Sequence, residues 1–136
     1  MKVIEWTEAL SLNFEPMDTM NRQFVSLLAQ AQEASDGELA DRWRALIDHT
    51  ESHFAREDSW MRTSHFSTVD NHMLQHRVVL NVMREGLAFA RAEKFEPVRE
   101  MASELESWFS KHTQSLDAAL ALHMRREPET AQAQKP

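Results

Sequence analysis

The chain is 136 residues long, enough for a single domain with a real core. Its formal charge of −7 and pI near 5.5 argue against nucleic acid and anionic membrane as partners, since both require a basic face. The absence of cysteine excludes disulfides, thiolate zinc sites and iron–sulfur clusters, and leaves histidine and carboxylate as the strong metal ligands.

No apolar run approaches membrane-spanning length, and the stretch Met1 to Trp6 lacks a signal-peptide core, so a cytoplasmic location is expected. Two glycines, four prolines and 27% charged residues favour long helices over strands and turns. Residues 1–16 hold Trp6, Leu10, Leu12 and Phe14 without a sustained helical period and read as an arm laid across the domain. Pro16 suits a first helical position and Asp18 the first turn, where the helix dipole favours an acid. Met17, Met20, Phe24, Leu27, Leu28 and Ala31 then form the buried stripe of a first helix. Gly37 is placed to break that helix, and Ser35 with Glu38 has capping-box spacing for a second, running to about Arg62. The stretch Thr63 to Asp70 is polar and irregular, with Ser67 or Asp70 as the cap of a third helix that reaches about Arg91 and contains Gly86. Pro97 opens a fourth, whose stripe is Val98, Met101, Leu105, Trp108, Phe109, His112, Leu116 and Leu120. From Glu127 no apolar residue is large enough to anchor the chain. The expectation is all-α: an up-down-up-down four-helix bundle over 17–124, with the N-terminal arm before it and a disordered tail over 125–136.

The chemistry is concentrated in the middle helices. His49, His53 and Glu57 follow one another at steps of four, as do His72 and His76, so each helix carries a ridge of donors on one face. In the second helix that line coincides with Leu46, Ile47, Thr50, Phe54, Trp60 and Met61; in the third it is flanked by Val69, Met73, Val79, Leu80 and Met83. Imidazoles and a carboxylate in an apolar seam, with no Lys or Arg among them, need a counter-charge, and a metal cation supplies one. A lone core histidine is usually only a hydrogen-bonded residue, the reading preferred for His49, while His65 and His123 read as solvent-exposed.

Three separated motifs, His53-Phe54-x-x-Glu57-Asp58-x-x-Met61, His72-x-x-x-His76 and Trp108-Phe109-x-x-His112-x-x-x-x-Asp117, resemble the hemerythrin family, in particular its bacterial members. Trp6 and the Met17-Asp18 pair resemble the family's opening, so the likeness covers about residues 6 to 120. The resemblance implies two iron ions in the bundle with a bridging oxo or hydroxo group and O2 as ligand. His72, His76 and His112 would bind the first iron, Glu57 and Asp117 would bridge, and His53 would hold the second iron, the one that takes O2. The step of five from His112 to Asp117 turns about 140° on an ideal helix, so spacing alone does not pair them. The pattern departs once: where the family has a first-helix histidine this chain has Asn21, and residues 1–48 contain no histidine. Asn21 through its amide oxygen, a water held by Asn21, or His49 could complete the second iron, or that iron could bind poorly and leave a single-metal centre.

The resemblance therefore implies a hemerythrin-like protein binding O2 or a small anion, with an extra open coordination position, for oxygen or redox sensing, scavenging or storage. The alternatives are a di-iron enzyme turning over peroxide, O2 or nitric oxide, and a degenerate single-metal scaffold. No residue beyond the bridging carboxylates stands out as a dedicated acid or base, which ranks the enzyme second. A sensor of this length would need a partner protein, and manganese suits the same donors as iron.

Overall fold

Four long helices carry the chain in the computed structural model, which describes residues 3–126. They are α1 (Glu15–Glu33), α2 (Asp36–Thr63), α3 (Val69–Arg91) and α4 (Phe95–His112). A π-helical turn (Thr113–Asp117) joins α4 to α5 (Ala118–Arg126), which continues it. α1 packs on α2, α2 on α3, α3 on α4 and α4 back on α1, the cyclic neighbourhood of the expected up-down-up-down bundle. No helix among the described residues is long and apolar enough to cross a membrane.

Local chemistry explains most boundaries and corrects several expectations. Gly37 does not break α1. That helix ends because Ala34 and Ser35 turn to extended backbone, and Gly37 sits in the first turn of α2, where Ser35 Oγ donates to Glu38 Oε1 at 3.2 Å. The cap of α3 is Thr68, not Ser67 or Asp70, and α4 begins at Phe95, leaving Pro97 in the first turn, where a missing N–H costs nothing. Just past the end of α2, His65 has a φ of 57°, which lets Phe66 N–H reach back to Met61 O at 2.9 Å and carries Phe66 into the interior. His123 is half-buried, not solvent-exposed as expected: its Nε2–H donates to Ser64 O at 3.0 Å, and its ring rests on Phe66. Gly86 lies inside α3, which reaches Arg91 as expected. It clears room for Trp43, since a Cβ there would lie 2.8 Å from Trp43 Nε1, which donates to Met83 O at 2.7 Å.

The N-terminal segment is tied down by Ile4 N–H to Gln32 Oε1 at 2.9 Å, and by Ser11 Oγ–H and Leu12 N–H to the two oxygens of buried Asp18, each at 2.8 Å. Arg125 donates to Leu12 O. Arg125 and Arg126 close α5; the rest of the expected tail lies outside the described residues.

The core falls into two apolar clusters. One gathers Phe24, Leu28, Trp43, Leu46, Met83, Leu105 and Phe109. The other gathers Met17, Met20, Trp60, Met61, Leu120, Ala121 and Met124, with Leu12 and Phe14 packed over it. On each long helix a set of buried polar residues comes between the two clusters, apart from others such as Asp18 and Gln32 that lie within them: Asn21 on α1, His53 and Glu57 on α2, His72 and His76 on α3, His112, Thr113 and Asp117 on α4 and the π turn. The bundle thus has a polar layer sealed by apolar ones.

Candidate metal centre

Three of the histidines aim the same nitrogen at one point. His72 Nε2 lies 3.1 Å from His112 Nε2, 3.3 Å from Asp117 Oδ1 and 3.6 Å from Glu57 Oε1. His76 Nε2 lies 3.2 Å from Glu57 Oε1, and His112 Nε2 lies 3.1 Å from Asp117 Oδ1. Donor atoms of Glu57, His72, His76 and His112 all fall within 4.8 Å of one another, and all four residues are buried. A first-row cation about 2.1 Å from each ligand holds neighbouring donors roughly 3–3.5 Å apart, which matches this spacing. Several of these atoms sit close without a well-directed hydrogen bond: Glu57 Oε1, His76 Nε2 and Asp117 Oδ1 are buried and unsatisfied among the described residues. Their polar atoms converge without pairing, and two buried carboxylates face no Lys or Arg among the described residues. Both facts fit a cation.

Glu57 divides its carboxylate. While Oε1 faces His72 and His76, Oε2 is 2.7 Å from His53 Nε2. Burial pushes Glu57 towards protonation, but the charge and hydrogen bond of His53, and those of His76, outweigh it and hold the carboxyl well below its usual range. Glu57 thus stands between the imidazoles of His72 and His76 on one side and that of His53 on the other.

The π turn answers the five-residue step. Ala118 N–H reaches back to Thr113 O, a wider loop than an α-turn closes, and the extra residue is absorbed within one turn. Asp117 therefore comes round beneath His112, and Ser115 Oγ adds a 2.6 Å bond to Lys111 O within the same segment.

Some residues that shape the layer carry no such signal in the sequence. Asp58 Oδ1 accepts from His76 Nδ1–H at 2.8 Å, so in the neutral ring that a cation would require, Nε2 carries the lone pair for the cluster. Burial lowers the basicity of His76, but Asp58 and Glu57 raise its pKa to about 9. The position of Asp58 within its motif gives no hint of this, because the contact depends on how α3 packs. Phe54 stacks on His76 with centroids 3.8 Å apart and Trp108 on His112 at 4.4 Å, so two imidazoles are clamped by flat rings. Thr113, which stands at no motif position, is fully buried with its hydroxyl unpaired among the described residues.

His49 stays outside the cluster. Its Nε2–H donates to Met20 O at 3.1 Å, and its ring meets that of His53 edge-on at 5.6 Å. Burial, reinforced by the charge of His53, lowers its pKa despite the Met20 carbonyl. Asn21 is 0% exposed, and neither Oδ1 nor Nδ2 has a partner among the described residues.

The model of the Hemerythrin HHE cation binding domain matches residues 13–127. The chain belongs to the hemerythrin family. It is 34% identical over 117 residues to a bacteriohemerythrin of Ralstonia nicotianae, covering 86% of this chain and 85% of that protein. A bacteriohemerythrin of Stenotrophomonas maltophilia is 26% identical over 129 residues, covering 89% and 81%. The chain is accordingly a hemerythrin-like metal-binding protein, with a buried His/Glu cluster able to hold the metal.

Proposed function

We propose that the protein is a non-haem di-iron protein that binds O2 or a related small ligand in the bundle core. The observation that carries this reading is the divided carboxylate of Glu57, one oxygen turned to the His72, His76 and His112 group and the other to His53. In this reading His72, His76 and His112 hold one iron, Glu57 and Asp117 are shared, and His53 holds the other. A ferrous pair, when bound, supplies electrons to O2. The chain itself orients the imidazoles through Asp58 and the stacked rings, and the apolar clusters on both sides exclude bulk water from the layer. Sensing or scavenging is favoured over storage, because Asn21 in place of an imidazole leaves the His53 side short of a strong donor. We assign no catalytic acid or base.

Iron per chain after anaerobic reconstitution, with visible spectra before and after air, tests the reading. Two irons and charge-transfer bands that appear with air and fade on deoxygenation are expected; one iron and no such bands would overturn it. Sustained peroxide consumption would instead favour an enzyme.

A further inference from the structure

The polar layer supplies its two sides unequally. On the side of His72, His76 and His112, three imidazole nitrogens meet oxygens of Glu57 and Asp117, all within 3.6 Å of a neighbour in the set. On the other side His53 is the single imidazole, facing Glu57 Oε2 at 2.7 Å. Asn21 stands on α1 between the two apolar clusters, as the cluster residues do on their own helices. It follows Met20, whose carbonyl is bonded to His49, one helical turn before His53. Its amide is wholly buried, and both its polar atoms are unpaired among the described residues. An unpaired buried amide is expensive, so this one needs a partner that the described residues do not provide.

We propose that the two metal positions fill in order, the His72/His76/His112 position first and the His53/Asn21 position only at much higher free ferrous iron. The protein then becomes competent for O2 only when oxygen and available iron are both present. The inference rests on the dinuclear reading above and deepens it. Asn21 offers a neutral amide oxygen, a weaker donor than imidazole. Charge acts in the same direction. Glu57 and Asp117 neutralise one divalent ion, and a second ion a few ångströms away adds positive charge that no further carboxylate on α1 offsets. The buried acid of that helix, Asp18, has both oxygens committed to Ser11 and Leu12. Loss of an outer hydrogen bond to a metal ligand already costs about 10–100-fold in affinity, so exchanging a ligand itself should separate the two positions by at least roughly 100-fold.

The experiment is an anaerobic titration of the metal-free full chain with ferrous iron against a chromophoric chelator, followed by iron per chain and the response to air. The wild type should show two steps separated by at least ~100-fold, with air-dependent bands growing only over the second. Asn21→His should pull the second step towards the first, and Asn21→Asp, which restores a charged donor, should do so in part; neither should move the first step. A wild type that takes its second iron only at the top of the titration, where Asn21→His takes it early, is the limiting form of the same result. A single step of two equal irons in the wild type, or an unchanged separation in both variants, overturns the inference and leaves the dinuclear reading standing. Failure of a second iron to bind to wild type and variants alike overturns the dinuclear reading itself.

Discussion

Asp18 and Asn21 are buried polar residues three apart on the same helix, and they have opposite fates. Both oxygens of Asp18 are engaged, by Ser11 and Leu12, and the side chain fixes the N-terminal segment to the bundle. Neither polar atom of Asn21 is engaged among the described residues. The same contrast divides the polar layer. The His72, His76 and His112 side is braced by Asp58 and by two stacked aromatic rings, whereas among the described residues the hydrogen bond of His53 is to Glu57 alone. A satisfied buried group is architecture, and an unsatisfied one points to a partner from outside the chain. Perturbing one side and reading the other separates the two roles.

The largest effect is expected at the residue both sides share. Glu57→Ala should abolish iron binding at both positions, measured as iron per chain after desalting, because it removes the carboxylate that meets His53, His72 and His76. Retention of one iron would show that Glu57 serves only one side. Next comes metal removal. A ligand held at a hundredfold excess over its dissociation constant stabilises the folded state by about 2.7 kcal/mol, roughly 10 °C in melting temperature for a domain of this size. Chelation should therefore lower the melting temperature by about that much, and no shift would argue against a metal in the core.

Asp58→Asn is expected to weaken iron at the His76 side by about 10–100-fold and so to narrow the gap between the two steps from the opposite side to Asn21→His. It has a further signature in the metal-free protein. The folded pKa of His76 is raised from 6.5 to about 9, so the stability it contributes is fully present below pH 6.5 and lost as pH rises through 9. Glu57 is shifted down from 4.5, and its contribution is present above that value and lost as pH falls. Melting temperatures of the metal-free chain should thus decline between pH 6.5 and 9, and Asp58→Asn should flatten that decline. With metal bound the trend reverses, because the ion displaces protons from the same atoms.

The smallest effect lies away from the layer. Gly86→Ala gains about 1 kcal/mol of helix propensity but drives a Cβ to 2.8 Å from the buried Trp43 ring, where overpacking costs about 1–3 kcal/mol. Chemical denaturation should show a loss of roughly 1 kcal/mol, with iron stoichiometry unchanged.

Much of this was legible in the chain because it is periodic. The stripes Met17 to Ala31 and Val98 to Phe109, and the four-residue steps of the histidines, repeat every turn, and the bundle follows from burying them. What periodicity could not show was anything that breaks it or spans helices. The π turn violates the very period used to read α4, and Thr-Gln-Ser-Leu carries no signal for it. Leu116, on the uniform-helix stripe, is only half-buried, while Thr113 goes inside. The Asp58–His76 bond and the room Gly86 leaves for Trp43 belong to the packing of α2 on α3, which no single-helix pattern encodes. Likewise Gly37 looked like the stronger punctuation than Ala34-Ser35, because glycine marks what is permitted, while the exit of α1 is set by where the next helix must start.

The wide turn at Thr113–Asp117 has one more implication, for how the segment tolerates changes in length. Four α-helical residues and five π-helical ones both complete about one revolution. Excising Gln114, Ser115 or Leu116 would iron the bend into plain helix, yet leave the histidine and the aspartate aligned and Leu120 and Met124 still facing their neighbours. Elsewhere along α4 and α5 a lost residue would swivel everything downstream out of the core. Here the polypeptide holds a spare link.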